Sequence, residues 1–188
     1  MNSYDFVHLA LYALDGEICG RTKLQKTVYF LGILTGKLDD LGFRPHFYGP
    51  YSDSVAAAVS RLKSLGFVQE SCLHTGACNE DGFEITRSDF RLTDEGSKIA
   101  KLKATENKVF WRAIKDAVAR FQKAGDIDYM RMSVAAKTFF MLSKKGKPAS
   151  PEELAESAKS LGWNPKPKEI SDSVNFLSRL SLVSVKAG

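Results

Sequence analysis

The stretch from Phe47 to Val68, FYGPYSDSVAAAVSRLKSLGFV, constrains the fold of this chain more than any other. Gly49-Pro50 interrupts regular structure, and Ser52 or Asp53 can cap the first backbone N–H groups of a helix. Apolar residues then recur at helical spacing, at Val55, Ala58, Val59, Leu62 and Leu65. Gly66 ends this helix, and a strand begins at once. A helix followed directly by a strand is the order of the third helix and the wing of a winged helix-turn-helix.

Two further helices are predicted before this stretch. Tyr4 to Leu14 and Gly20 to Leu34 both carry apolar residues at helical spacing. Thr35 to His46 is predicted as a loop that leads into a short strand, Phe43 to Tyr48. Three basic residues near the start of the second helix are expected to point outward, where they form a solvated helix face or contact phosphates. They are Arg21, Lys23 and Lys26.

A β-hairpin is predicted after the third helix. Phe67 to Leu73 and Phe83 to Leu92 alternate apolar and polar residues, and the polar segment His74 to Gly82 joins them. Thr93-Asp94-Glu95-Gly96 then starts another helix, with Thr93 as its N-cap. The first 100 residues are therefore predicted to form a winged-helix domain.

Four runs in this region resemble the YwgA-like family and, more distantly, the Panacea domain of SocA-type antitoxins. The runs are GRTKLQKTVYFLG, FRPHFYGPYSDSV, LKSLGFV and FRLTDEG, and the most specific pieces are Gly20 to Lys26 and Gly49 to Ser52. The resemblance implies a winged-helix core and, for the YwgA-like family, no established activity. Panacea relatives act as antitoxins or partner-binding modules, and this chain departs from them in length and after Lys101.

The second half of the chain is predicted to be helical. Thr105 to Lys123 is strongly amphipathic, so residues 101–126 are expected to form a connector that packs between two domains or pairs with a second copy. Ile127 to Ser143 forms a further helix. Ser150-Pro151 starts another that ends near Leu161, because Ser is a good N-cap and Pro is favoured at the first helical position.

The end of the chain repeats the apolar pattern of the opening stretch at an offset of 115 residues. Pro165, Val174, Leu177, Leu180, Leu182 and Val183 then match Pro50, Val59, Leu62, Leu65, Phe67 and Val68. Either any helix followed by a strand shares this pattern, or residues 127–188 form a second winged-helix-like domain. In the second interpretation its helices are Tyr129 to Lys144, Pro151 to Leu161 and Lys168 to Leu180, and Leu182 to Lys186 is a truncated wing.

Charge is distributed unevenly between the two halves. Residues 1–100 carry 10 Lys and Arg against 13 Asp and Glu, whereas residues 101–188 carry 17 against 9. Contacts with a polyanion are therefore expected mainly in the second half. The predicted contacts there are Lys144, Lys145, Lys147, Lys166, Lys168, Asn175 and Arg179, with Ser171 and Ser173 on the same helix face. Arg21, Lys23, Lys26 and Arg61 complete the predicted nucleic-acid-binding set.

The third helix of the first domain has a short, nearly uncharged outer face, and Asp53 at its start would repel phosphate. This face is predicted to pack or to dock a protein partner, through Tyr48, Tyr51 and Asp53. A weak metal-site candidate lies in the wing, formed by Cys72, His74 and Cys78 with a nearby acidic residue. The spacing matches none of the recurrent zinc patterns, so Cys72 and Cys78 are expected to be ordinary loop cysteines, with the metal site and a Cys72–Cys78 disulfide as the alternatives.

Enzyme motifs are absent from the sequence: there is no phosphate-cradling glycine loop, no HExxH and no GxSxG. No secretory signal, disulfide framework or apolar run of about 20 residues is visible, which predicts a soluble cytoplasmic protein. The sequence thus predicts a mainly helical protein without a cofactor. We expect a DNA-binding transcriptional regulator, with double-stranded DNA as partner and a homodimer as one assembly. The alternative is an interaction module of the antitoxin or adaptor kind, with a partner such as a cognate toxin.

Overall fold

A computed structural model describes residues 2–78 and 84–184, with the side chains of residues 74–86 outside that description. This part of the chain is mainly helical. Its helices are α1 (Ser3–Ala13), α2 (Arg21–Leu34), α3 (Asp53–Ser64), α4 (Asp94–Glu106), α5 (Lys108–Lys123), α6 (Tyr129–Lys145), α7 (Pro151–Lys159) and α8 (Pro167–Arg179). Its strands are β1 (Glu17–Cys19), β2 (Val68–Cys78) and β3 (Glu84–Leu92).

The three strands form one antiparallel sheet in the order β1-β3-β2. The hairpin pairs Val68 with Leu92, as the alternating pattern predicts, and β1 adds to its other edge by pairing Ile18 with Phe90. The strand β1 was not predicted, because its three residues lie between Gly16 and Gly20 and are too few to show an alternating pattern. Three helices, a β-hairpin and a short third strand complete the winged-helix arrangement.

Helix α3 begins where the sequence indicates. Ser52 is its N-cap, and the Ser52 hydroxyl accepts a hydrogen bond of 3.0 Å from the backbone N–H of Val55. One face of α3 is buried against α1 through Val55, Ala58, Val59 and Leu62. The predicted strand from Phe43 to Tyr48 is wrong, since this segment contributes only a single bridge between Arg44 and Tyr51.

The predicted helix from Thr105 to Lys123 is interrupted at Asn107. The Asn107 backbone leaves the helical region, with φ −123° and ψ 66°, and its side-chain oxygen accepts from the N–H of Phe110 at 3.3 Å. Asn competes in this way for local backbone donors, which the apolar periodicity does not reveal. Residues 94–123 therefore form two helices, α4 and α5.

The apolar core is continuous from the winged helix into the C-terminal helices. The Phe30 ring of α2 lies 5.5 Å from the Phe176 ring of α8, and the Phe121 ring of α5 lies 5.9 Å from Phe176. Trp163, in the turn between α7 and α8, is buried in the same cluster. The division into domains at residues 100 and 126 stays a prediction about independent folding.

The repeated pattern at the chain end corresponds to a repeated helix cap. Gly66 and Ser181 both have positive φ, of 72° and 57°. The hydrogen bonds also correspond at the same offset, since Phe67 N–H donates to Leu62 O at 2.9 Å and Leu182 N–H donates to Leu177 O at 3.0 Å. The likeness stops there, because residues 182–184 form no strand and residues 185–186 of the predicted short wing lie outside the described part.

Candidate functional site

The two most specific pieces of the YwgA-like pattern contact each other. The Gln25 side chain donates to Ser52 O and accepts from Ser52 N–H, both at 3.0 Å. The Lys26 ammonium donates to Pro50 O at 2.7 Å. Together these bonds fasten the start of α3 to α2. The pattern therefore maintains the helix-turn-helix geometry.

The expectation that Lys26 points outward is wrong. Lys26 is only 1% exposed, because it lies on the part of α2 that is covered by Pro50 and α6, so it cannot contact a phosphate at the surface. Burial, and to a smaller extent the positive charge of Lys137 on α6, lower the pKa of Lys26 to about 8. The sequence could not reveal this environment, since α6 lies about 100 residues further along the chain.

The loop His46 to Tyr51, which we call the α3 entry loop, is held by the C-terminal helices. The indole N–H of Trp163 donates to His46 O at 2.6 Å, and the His46 and Tyr51 rings lie 4.9 Å apart. Gly49 packs against α6 with φ 94°, where an added Cβ would lie 3.1 Å from the Lys137 side chain. Phe47 and Tyr48 nevertheless remain 73% and 55% exposed.

The outer face of α3 carries little free charge. Asp53 forms an ion pair of 2.5 Å with Arg44, and the Arg61 guanidinium lies 4.9 Å from the centre of the Tyr4 ring. The other exposed residues of α3 are Ser54, Ala57, Ser60, Lys63 and Ser64, and Lys63 contacts Glu70. This face offers few groups that read DNA bases, in keeping with the short outer face seen in the sequence.

The other two cations of the winged helix that were predicted to bind nucleic acid, Arg21 and Lys23, also pair with carboxylates. Arg21 pairs with Glu70 at 2.7 Å, and Lys63 contacts the second oxygen of the same carboxylate. Hydrogen bonds from Lys63 and Arg21 lower the pKa of Glu70 to about 2, so this carboxylate stays ionised. Lys23 pairs with Asp126 at 2.9 Å.

Some of the predicted nucleic-acid-binding residues of the C-terminal helices have partners within the protein, and others do not. Lys144, Lys147, Lys166, Lys168 and Asn175 are exposed, and within the described residues none of the four lysines forms an ion pair. Two others have structural partners. Lys145 pairs with Glu153 at 2.9 Å, and Arg179 donates to Ala124 O at 3.1 Å.

Packing brings the two lysine-bearing segments together. The Lys144 ammonium lies 5.7 Å from the centre of the Phe140 ring, and that ring lies 5.8 Å from the ring of Trp163, just before α8. Ser173, predicted on the outer face of α8, is buried instead. Its hydroxyl lies within hydrogen-bonding distance of Thr138 on α6, at 3.1 Å.

Helix α5 carries a basic stripe that was not predicted as a site. Its exposed cations without an ion-pair or hydrogen-bond partner within the described residues are Lys108, Arg112, Lys115 and Lys123, whereas Arg120 donates to Leu180 O at 2.7 Å. The signal was present in the sequence as basic residues at helical spacing opposite the apolar face, but the prediction considered only the apolar side of this helix.

The weak metal-site candidate is only partly within the described residues. Cys72 is exposed, and its sulfur lies 3.8 Å from the Ser88 hydroxyl. The side chains of His74 and Cys78 lie outside the description. Among the side chains that are described, no three His, Cys, Asp or Glu residues are grouped as metal ligands.

Part of this chain is similar in sequence to a Bacillus protein. Over 86 residues it is 29% identical to the uncharacterized protein YwgA of Bacillus subtilis (strain 168), which covers 46% of this chain and 51% of that protein. The match thus spans about half of the length of each, and it supports a YwgA-like relationship. No protein-family model matches the chain. Within the described part, none of the helices has the length and apolar character needed to cross a membrane.

Proposed function

We propose that the protein is a non-enzymatic regulator that binds duplex DNA through its C-terminal helices. The observation that carries the proposal is the group of exposed lysines at the end of α6 and the start of α8. Lys144, Lys147, Lys166 and Lys168 form no ion pair within the described residues, and the contact of Phe140 with Trp163 joins the two segments. Ammonium groups without a carboxylate partner are suited to bind phosphates.

This proposal assigns different roles to the predicted residues of the C-terminal helices. The four lysines contact the DNA backbone, and Asn175, exposed on α8, is the candidate for a base contact. Arg179 and Lys145 support the fold, since each already has a partner within the protein. Two carboxylates limit the strength of binding: Asp172 is exposed on α8, and Glu169 accepts from the backbone N–H of Lys166 at 2.7 Å.

An electrophoretic titration with duplex DNA at two salt concentrations tests the proposal. We expect binding at low salt, with an affinity that falls about 0.9 logarithmic units per decade of salt for each phosphate contacted. Lys166→Ala with Lys168→Ala should weaken binding and reduce this slope. Lys98→Ala with Lys101→Ala, two exposed lysines of α4 of which Lys98 pairs with Glu95, removes the same charge and is the control. Absence of binding at low salt, or equal loss in both double variants, would contradict the proposal.

A second candidate function is protein interaction of the antitoxin or adaptor kind, which the more distant Panacea resemblance suggests. The observation that favours it is the exposure of Phe47 and Tyr48 on the α3 entry loop, at 73% and 55%. Large exposed aromatic side chains on a loop with a fixed backbone are typical of partner-binding surfaces. Tyr51 and Asp53 lie beside them, at the start of α3.

Co-expression with the product of the neighbouring gene tests this candidate. A stable complex should survive size-exclusion chromatography and be lost in Phe47→Ser with Tyr48→Ser. The Lys166→Ala and Lys168→Ala variant should retain it, because those lysines lie on different elements. A complex that persists after removal of both aromatic side chains would exclude the α3 entry loop as the docking surface.

A further inference from the structure

The outer face of α5 is a basic stripe with no ion-pair partner within the described residues. Lys108, Arg112, Lys115 and Lys123 follow each other at intervals of four, three and eight residues, opposite the buried face of the helix. At about 1.5 Å per residue, the stripe is roughly 22 Å long. Asp116 is the one carboxylate within the α5 sequence, and it lies at the edge of this face.

This surplus of charge sets α5 apart from its neighbours. On α4, which packs against α5, Lys98 pairs with Glu95 at 2.8 Å and Lys103 pairs with Asp5 at 2.6 Å. Four like charges on one helix face repel each other and gain most from a partner that carries a regular series of negative charges. The stripe therefore fits a polyanion better than it fits a single small anion.

A concavity with aromatic walls opens beside the stripe. It has a volume of about 490 Å³ and is lined by Tyr12, Ala13, Asp15, Gly16, Ser97, Trp111 and Lys115. The rings of Tyr12 and Trp111 are stacked with their centres 5.3 Å apart. The Lys115 ammonium lies 5.6 Å from the centre of the Trp111 ring, so the stripe and the aromatic wall share a residue.

We propose that α5 binds single-stranded nucleic acid. The cations of the stripe contact successive phosphates, and an unpaired base enters the concavity against Trp111. Proteins that bind single strands without sequence preference combine these two elements, a basic track and an aromatic side chain for stacking. The proposal goes beyond the duplex contact at α6 and α8, and it uses a separate set of residues.

Two other polyanions fit the surface less well. A duplex would present phosphates to the stripe, but its bases are stacked inside and cannot reach Trp111. An anionic membrane favours a helix whose apolar face is free to enter the lipid. The apolar face of α5 is buried in the protein core through Ile114, Ala117, Val118 and Phe121. A single strand is the partner that uses both the charge and the aromatic wall.

Titration of a fluorescein-labelled oligothymidylate of 20 nucleotides, followed by anisotropy, tests the proposal. Binding should weaken with salt by about 0.7 logarithmic units per phosphate contact per decade of salt, which gives a slope near −3 for four cations. Tryptophan fluorescence should be quenched on binding. Trp111→Phe should abolish most of this quenching, because Trp163, the other tryptophan, is only 1% exposed.

The matched variants separate this proposal from the proposed function. Replacing Lys108, Arg112, Lys115 and Lys123 by Ser should weaken single-strand binding at least tenfold and leave the duplex shift in place. Replacing Lys144, Lys147, Lys166 and Lys168 by Ser removes the same charge and should do the reverse. Circular dichroism checks that both variants fold.

Three results would overturn the proposal. They are no single-strand binding at low salt, equal weakening by both quadruple variants, and binding without tryptophan quenching. Binding of the protein to phosphatidylserine vesicles tests the alternative that α5 contacts an anionic membrane. If these vesicles bind through the stripe and the oligonucleotide does not, α5 is a membrane-binding helix and the proposal is wrong.

Discussion

At the scale of single residues, His8 is a buried group whose protonation opposes folding. Its Nε2 lies 2.8 Å from Gly96 O, its ring is stacked on Phe67, and within the described residues its Nδ1 has no hydrogen-bond partner. Burial lowers the pKa of His8, and the backbone bond to Gly96 opposes this effect without reversing it. The nearby Lys103 charge also disfavours the imidazolium. The neutral imidazole is therefore the form that the fold accepts.

Stability should consequently fall as the solution is acidified. The unfolded chain takes up a proton on His8 near pH 6.5, while the folded protein does so only at lower pH, so the free energy of unfolding decreases below about pH 6.5. Urea unfolding at pH 7.5 and pH 5.5 measures the change. His8→Gln, which keeps a donor for Gly96 O, should show a smaller decrease than the native protein. An equal decrease in both would assign the effect to other groups.

Lys26 predicts a pH dependence of stability at the alkaline end. Its pKa is about 8 in the folded protein and near its usual value of 10.5 when unfolded. Above pH 8 the folded protein releases this proton first, so stability should rise with pH by up to about 1.4 kcal/mol per pH unit relative to a variant without the amine. Lys26→Met is that variant, and Lys98→Met is the exposed control. Parallel stability curves for native protein and Lys26→Met between pH 8 and pH 10 would contradict the prediction.

At the scale of elements, the two equivalent helix caps differ in one residue. Gly66 adopts the left-handed conformation at no steric cost, whereas Ser181 adopts it with a side chain. Ser181→Gly should therefore raise the free energy of unfolding by about 1 kcal/mol, and Gly66→Ser should lower it by a similar amount. Thermal denaturation of the two variants checks both signs. A destabilised Ser181→Gly protein would show that the Ser181 side chain has a role that the cap geometry does not reveal.

Local signals made most helices predictable. Ser52, Thr93 and Ser150 each cap the helix that the sequence assigns to them. These caps are encoded within three or four residues, so periodicity and cap chemistry are sufficient to find them. The short strand β1 has no comparable signal, because it is defined by pairing with β3 about 70 residues later.

The candidate sites were less predictable, for a reason that lies in tertiary packing. In the sequence, Lys26 follows Arg21 and Lys23 at the start of α2 and was therefore expected at the surface. Packing of α6 on α2 buries it. Arg21 and Arg179 are likewise of a residue type that binds phosphate. In the folded protein, however, Arg21 pairs with Glu70 and Arg179 donates to Ala124 O. Which cations remain free depends on distant carboxylates and carbonyls, and a single sequence does not give these contacts.

At the scale of the whole molecule, Trp163 links the C-terminal helices to the winged helix. Trp163→Phe should keep most of the buried ring and lose the hydrogen bond to His46 O, at a cost of about 1 kcal/mol. Hydrogen exchange should become faster at the amides of residues 46–51 and change little in α1. Trp111→Phe is the control, since its ring lies on another surface. Unchanged exchange in the α3 entry loop would mean that other contacts, such as Lys26 to Pro50 O, are sufficient to hold it.

The bond from Trp163 to His46 joins residues 117 positions apart. During synthesis on the ribosome, the segments of α1 to α3 leave the exit tunnel long before Trp163 is made. In the nascent chain the loop with Phe47 and Tyr48 thus lacks this support, and Lys26 lacks the cover of α6. The growing polypeptide consequently carries a solvated Lys26 amine that the finished protein buries, and the α3 entry loop gains its hydrogen bond to Trp163 only late in synthesis.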